Sequence, residues 1–320
     1  MINIIYRKEL LFLQHQSTQI GRGMGQVSVL LVGSSGVGKS STVNHLFDLD
    51  EKSSIHFAKT SSSISETRTT TEYLFRVDEP EYEVKGLELG LVDSPGFNDT
   101  NGIRQDACNF LSIKEFYKKH PTIAGSFPNL IFVMVDANDK RIQGENSNLA
   151  KSLKCLMRLN LVDPKHPNVI GVMTHAYNLG RSPEKWTRAF EERKTLIKSI
   201  LFKHLNVAAE VVALENDRDG LEVKHDFTVL PNDKTLQPKN LFDACVRVLS
   251  DNGDRFGQLV LSRVFGQERN TPNPGFEVPA KDATKETLSS AEEEFVEFFV
   301  KTAKGGKLST LKTIDYTVHN

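Results

Sequence analysis

The sequence predicts an α/β fold: a doubly wound, mostly parallel sheet, with a short N-terminal helix before it and a C-terminal extension after it. Two observations predict this. Short apolar, β-branched runs alternate with amphipathic stretches of helical length from Val27 to Leu249. At the end of the first run, Gly33-Ser34-Ser35-Gly36-Val37-Gly38-Lys39-Ser40 fits G-x-x-x-x-G-K-[ST] at every fixed position. Such a loop belongs between a strand end and a helix start, where backbone N–H groups and the helix dipole attract an anion.

The elements follow in order. Ile4 to Gln16 reads as a short helix and Gly21 to Gly25 as a glycine-rich lead-in. Val27 to Val32 (VSVLLV) is a buried parallel strand, and Ser40 to Phe47 continues the phosphate loop as a helix. Asp48 to Thr71 is polar and rich in Ser and Thr; after a phosphate loop it reads as a segment that closes over a terminal phosphate. Tyr73 to Val77 and Leu87 to Val92 are strands joined through a turn at Glu79-Pro80-Glu81. Arg104 to Lys119 is helical, Leu130 to Val135 a buried strand, and Glu145 to Leu159 a helix. Val169 to Met173 is a strand, Pro183 to His204 a long helix with Pro near its start, Val211 to Leu214 a short strand, and Leu236 to Leu249 a closing helix. Asn270 to Pro279 holds three prolines and a glycine and reads as a linker. Ala291 to Ala303 reads as an amphipathic helix with Phe295, Phe298 and Phe299 on one face; that face is expected to pack onto the core, with a partner or membrane-surface helix as the alternative, which its acidic start disfavours on anionic lipid. The expected division is 1–25 for helix and lead-in, 26–250 for the α/β domain and 251–320 for the extension.

The loop chemistry is explicit. Glycines let the backbone curl around phosphate oxygens, Lys39 reaches the β- and γ-phosphates, and Ser40 offers a hydroxyl to Mg²⁺. Asp93-Ser94-Pro95-Gly96 follows the strand beside it. An acid there steadies a metal ion, and Gly96 brings an N–H to the γ-phosphate. Ser65-Glu66-Thr67-Arg68-Thr69-Thr70-Thr71 supplies further hydroxyls for the metal.

Composition bounds the partners. Of 320 residues, 38% are hydrophobic and 25% charged, as in ordinary globular chains. A net charge of -1 gives no overall basic field, so nucleic acid is not an expected partner. Cys108, Cys155 and Cys245 show neither metal spacing nor a disulfide framework and are expected as reduced thiols. No apolar run is long enough to cross a bilayer, and Met1 to Leu13 is broken by Arg7, Lys8 and Glu9, unlike a signal peptide. The expectation is a cytoplasmic protein whose membrane contact, if any, is peripheral and on the cytosolic face.

Two further segments bear on the base. Thr174-His175-Ala176-Tyr177 follows a strand where the commonest guanine-reading pattern is N/T-K-x-D. Tyr177 stands in place of the acid and cannot act as a charged acceptor at neutral pH. The next strand ends in Leu214-Glu215-Asn216-Asp217, where Glu215 can accept from guanine N1–H and the 2-amine. With GSSGVGKSS at Gly33 to Ser41, Ser65 and Thr67, DSPG at Asp93 to Gly96, THA at Thr174 to Ala176, and Glu215-Asn216, roughly residues 26–250 resemble the septin-like branch of GTPases, and within it the immune-associated AIG/GIMAP and chloroplast Toc receptor GTPases.

The resemblance implies GTP or GDP with Mg²⁺. The nucleotide would be held by Gly33, Ser34, Ser35, Gly36, Val37, Gly38, Lys39, Ser40 and Ser41, and the metal by Ser40, Thr67 and Asp93. Thr67 is the expected switch threonine, with Thr69 and Thr70 as alternatives, and Gly96 senses the γ-phosphate. Thr174, His175, Glu215 and Asn216 would hold guanine; the plainer reading of His175 is a strand-end cap. Phe97 occupies the place where many small GTPases carry a water-positioning Gln, so hydrolysis is expected to be slow, or raised when two copies pair across the nucleotide face. Arg68 and Arg104 are candidates to reach across such a pair, or else solvated surface arginines. An ATP-using P-loop enzyme or kinase stays open because N/T-K-x-D is absent, although no phosphoryl-acceptor motif is seen.

Overall fold

The computed structural model describes residues 26–47, 58, 69–79, 84–97, 102–121, 123, 127–144, 147–163, 168–219, 221–224, 227–254, 257–258, 260–261 and 273–303. The expected N-terminal helix over Ile4 to Gln16, together with Ser65, Thr67 and Arg68, lies outside them.

Strand β1 (Gln26–Val32) is buried along its whole length, which only a central strand covered on both faces requires. It lies between β3 (Val84–Asp93) and β4 (Leu130–Asp136), parallel to both. β5 (Val169–Thr174) and β6 (Glu210–Ala213) extend the parallel run beyond β4. On the other side β2 (Thr69–Glu79) pairs antiparallel with β3, and β10 (Asn273–Pro279) antiparallel with β2. The order is β10-β2-β3-β1-β4-β5-β6, so the expected mostly parallel α/β sheet is what forms. The chain leaves β1 in opposite directions to β3 and β4, which makes the carboxyl end of β1 the switch point where ligands bind in such sheets.

Helices cover both faces. One apolar core joins α1 (Lys39–Phe47) and α5 (Lys239–Asp251) to the sheet through residues such as Val43, Leu46, Leu241 and Leu249. The other gathers α2 (Ile103–Lys119), α3 (Asn148–Arg158), α4 (Pro183–Leu205) and α6 (Ser290–Ala303). Capping explains two of the starts. The Ser147 hydroxyl accepts from Ala150 N–H at 3.1 Å, which starts α3 three residues later than the apolar pattern from Glu145 suggests. Ser182 caps α4 the same way, with Pro183 in its first turn.

Two expectations are corrected. Asn270 to Pro279 is not simply a linker: Asn273–Pro279 is edge strand β10. Prolines are tolerated there because an edge strand has one row of N–H groups with no ladder partner. Behind it, buried Glu72 on β2 accepts from His120 Nε2 at 2.9 Å and from Phe276 N–H at 3.4 Å, and Gln26 Nε2 donates to its other oxygen. The closing helix begins at Lys239 rather than Leu236, because Leu236–Gln237 forms β9 of a small second sheet with β7 (Val223–Lys224) and β8 (Phe227–Val229). Arg104 is a half-exposed surface arginine, the second of its two expected readings, and its guanidinium donates to both carboxylate oxygens of Glu293 on α6, at 2.9 and 3.1 Å.

Helix α6 packs as its aromatic face predicts. Phe295, Phe298 and Phe299 are buried, Phe299 meets Phe110 of α2, and Arg158 of α3 donates to Glu294 while lying over the Phe298 ring. Among the described residues no helix is long and apolar enough to cross a membrane. Because Phe295 is wholly buried, Phe295→Ala should cost about 3–5 kcal/mol in urea denaturation; a loss under about 0.5 kcal/mol would mean α6 is a surface appendage.

Candidate functional site

The loop after β1 and the start of α1 curl around the Lys39 side chain. Its Nζ donates to the carbonyls of Gly33 and Ser34, at 3.1 and 3.2 Å, and is buried. Burial pulls its pKa down to about 8, with nearby Asp93 opposing that shift. Gly36 is the exposed crest of the loop, and Val37 is in the core. Gly38 has φ of +89°, and a Cβ there would stand 2.9 Å from Asn216 Nδ2, so glycine is required on both counts. Ser41 lies half-buried on α1.

Asp93, at the end of β3, lies beside this loop. Its Oδ2 accepts from Ser40 Oγ at 2.6 Å, and its buried Oδ1 has no hydrogen-bond partner. Burial is the main influence on Asp93 and holds its carboxyl above the ordinary range, against the opposing pull of Lys39 and Ser40. An orphaned, buried carboxylate oxygen next to a hydroxyl is a donor set that suits a hard divalent cation. Gly96 presses on the loop: a Cβ there would lie 2.7 Å from Ser35 Cα. The Gly96 carbonyl accepts from Asn109 Nδ2 at 2.7 Å, and the Ser35 N–H donates to the Phe97 carbonyl at 3.0 Å. The Phe97 ring is buried and stacked on Phe110, with centroids 5.1 Å apart.

The two later segments converge on the same loop. Thr174 Oγ1 donates to the Val37 carbonyl at 2.7 Å. Asn216 Nδ2 donates to the Gly38 carbonyl at 3.2 Å and to Thr42 Oγ1 at 3.0 Å, so this side chain braces the loop. His175 has φ of 51°, in the left-handed region. Its Nδ1 is 3.5 Å from Asp136 Oδ2, which raises its pKa, and its carbonyl accepts from Asn138 Nδ2 at 2.9 Å. Glu215 is buried; its Oε2 accepts from Tyr177 N–H at 2.8 Å and its Oε1 from Asp217 N–H at 3.1 Å. Each oxygen keeps a second lone pair. Trp186 on α4 anchors the turn Ala176–Leu179 by donating to the Ala176 carbonyl at 2.7 Å.

Of the residues singled out in the sequence, those from Gly33 to Ser40, with Asp93, Gly96, Thr174, His175, Glu215 and Asn216, thus meet at or around one loop. Asp136, Asn138, Asn109 and Gln237 were not singled out, and each holds a site residue by a side-chain contact. Asp136 had a signal: it ends a strand next to the one that runs into His175, and its register partner is Thr174. A cleft of about 440 Å³ opens between the phosphate loop, Phe97 and the segment after β4, with Lys140 and Arg141 at its rim.

Comparison with known proteins agrees with this geometry. Residues 28–163 match the family described as 50S ribosome-binding GTPase. The chain is 37% identical over 91 residues to GTP-binding protein A of Dictyostelium discoideum, covering 28% of this chain and 17% of that protein. It is 28% identical over 117 residues to translocase of chloroplast 90 of Arabidopsis thaliana, covering 36% of this chain and 13% of that protein. The chain therefore spans under a fifth of the length of these curated relatives. Among solved structures, Toc33 of Arabidopsis thaliana in complex with GDP and Mg²⁺ superposes with a TM-score of 0.53 at 19% identity, over 78% of this chain and 92% of that one. A dimerization-deficient Toc33 mutant gives 0.54 at 17% identity, over 78% and 92%. The α/β unit has the fold of a P-loop GTPase domain.

The position of Lys39 makes ligand binding depend on pH. Phosphate oxygens placed against Lys39 would restore the cation that burial disfavours, so binding there would take up a proton once the free lysine begins to deprotonate, near pH 8. Nucleotide affinity should weaken up to about tenfold per pH unit above about 8, in fluorescent-nucleotide titrations. Lys39→Arg, charged throughout this range, should bind with a flat profile.

Proposed function

We propose that this chain binds guanine nucleotide with Mg²⁺ and hydrolyses GTP slowly, as a switch or assembling scaffold whose turnover rises when two copies pair. The observation that supports it most is the convergence of Lys39, Asp93, Thr174 and Asn216 on one glycine-rich loop at the switch point of the sheet. Lys39 binds phosphate, exchanging the Gly33 and Ser34 carbonyls for phosphate oxygens. Ser40 would hold the metal directly and Asp93 through water, with Thr67 as the expected further hydroxyl; Mg²⁺ there would supply charge neutralisation to the phosphates. Gly96 positions its N–H toward the γ-phosphate, and Asn109 keeps it in place. Glu215 reads guanine N1–H and the 2-amine with its remaining lone pairs, and His175, steadied by Asp136, lies against the base. These assignments follow the AIG/GIMAP and Toc pattern within the septin-like branch.

Slow turnover is supported by Phe97, whose ring is stacked in the core and cannot orient water. Pairing is supported by a solved structure reported under the statement that dimerization is important for the GTPase activity of the chloroplast translocon components atToc33 and psToc159; it covers 75% of this chain at a TM-score of 0.50 and 19% identity. Among the described residues, Lys140 and Arg141 are exposed cations at the rim of the cleft beside the loop, Arg141 with 91% of its side chain exposed and 3.9 Å from Asp139. The Tyr177 position favours a second reading, an ATP-using P-loop enzyme, and the same measurements separate the two.

Competition binding should rank GTP and GDP well above ATP, and Glu215→Ala should cost GDP at least about tenfold while leaving ATP unchanged. Equal competition by ATP, unaffected by that substitution, would establish the second reading. Asp93→Asn should weaken Mg²⁺ binding by about 10–100-fold in a magnesium titration of bound nucleotide. Phosphate release per molecule should rise with protein concentration, and Arg141→Ala should flatten that rise; a rate independent of concentration in the unaltered protein would remove the pairing.

A further inference from the structure

We infer that Gln237 is a positioning residue for base recognition: its side-chain amide, delivered by the small second sheet, fixes the backbone of Glu215 and thereby aims the Glu215 carboxylate. The inference rests on the guanine reading above.

Glu215 lies beyond the end of β6 at Ala213. The Leu214 N–H ties this segment to β5 by donating to the Met173 carbonyl, at 2.7 Å. One residue further on, Gln237 supplies the partner. The Glu215 N–H donates to Gln237 Oε1 at 2.6 Å, and Gln237 Nε2 donates to the Glu215 carbonyl at 2.9 Å. One amide plane thus satisfies both backbone groups of one residue, as a neighbouring strand would. Gln237 is wholly buried, so losing its amide strands both groups away from water.

The effect on the site is directional. The Glu215 carboxylate spans from its own loop to the loop after β5, through Tyr177 N–H and Asp217 N–H. Its aim is therefore set from two ends: the backbone by Gln237, the oxygens by these amides. Gln237 is itself placed by the pairing of β9 with β8, where it sits opposite Thr228. Through Gln237 the small sheet thereby reaches the segment that carries Glu215, whereas Lys39 is held by the Gly33 and Ser34 carbonyls and Ser40 donates to Asp93.

Inosine diphosphate lacks the 2-amine that Glu215 reads, so the ratio of IDP to GDP dissociation constants reports how well the carboxylate is aimed. The unaltered protein should prefer GDP by about ten- to a hundredfold, and Gln237→Met, of similar shape but without hydrogen bonds, should bring the preference to within about threefold while IDP affinity changes little. Gln237→Glu, which keeps an acceptor for the Glu215 N–H but loses the donor, should fall between. A purely structural Gln237 would weaken GDP and IDP alike, and an unchanged ratio in Gln237→Met overturns the inference. If Glu215→Ala also keeps the full preference, the guanine assignment of Glu215 itself fails; if only Glu215→Ala abolishes it, the role of Gln237 alone fails. Should the Gln237 variants not fold, hydrogen exchange in the unaltered protein decides. GDP should protect residues 227–237 more than IDP does, and equal protection overturns the inference.

Discussion

A buried ammonium group is the constraint around which this fold is arranged. Lys39 has left water to sit among the carbonyls of its own loop, and the cost appears as a pKa drawn down to about 8. Such a group is tolerated only where neighbours compensate it or a ligand will. Asp93 compensates part of the charge, but Asp93 is buried too and keeps one oxygen without a partner. Both groups hold incomplete shells, as a site built for a phosphate and a cation would. The strand beneath them is held on every side: β1 is covered on both faces, and β3 and β4 pair with both of its edges.

The same loop is also held from the ends of β5 and β6. Thr174 donates to the loop carbonyl at Val37 and Asn216 to that at Gly38. These bonds turn the ends of β5 and β6 into supports of the phosphate loop. Asn216 thus has a structural duty whatever it does to a base, and Gly38 must stay glycine because that amide stands against it. Glu215 is different: its oxygens hold loops rather than the phosphate cradle, so on the reading proposed above it would discriminate among bases without disturbing the grip on phosphate.

Much of this was legible in the sequence, for reasons that separate cleanly. Strands β1, β4 and β5 are continuous apolar runs because both faces are covered, and the loop residues from Gly33 to Ser40 sit at fixed spacing because they wrap one ligand shape. Helix α6 announced itself by three phenylalanines on one face. What was not legible depends on long-range pairing. β10 looks like a linker because proline density is a local signal, whereas its place at an edge is a tertiary fact. Gln237 and Asn109 act through one amide each, at separations of 22 and 13 residues, and a single polar residue carries no periodicity to read. The fate of Arg104 was likewise set by Glu293, 189 residues away.

Phe97 carries the last step. An aromatic ring after Asp-x-x-Gly is a loss if that position must orient water, yet here the ring has a partner, Phe110, which in turn meets Phe299 of α6. The backbone of the same residue accepts the Ser35 N–H of the phosphate loop. Phe97 is therefore invested in packing on one side and in the loop on the other. Replacing it by glutamine would put a polar amide into an apolar stack, at a cost of about 1–3 kcal/mol or more, without bringing that amide to the phosphate. The chain cannot recover a water-orienting group at this position by point substitution alone. On the reading proposed above, the missing group must come from beyond this position, and the open cleft rimmed by Lys140 and Arg141 is where a second chain has room to supply it.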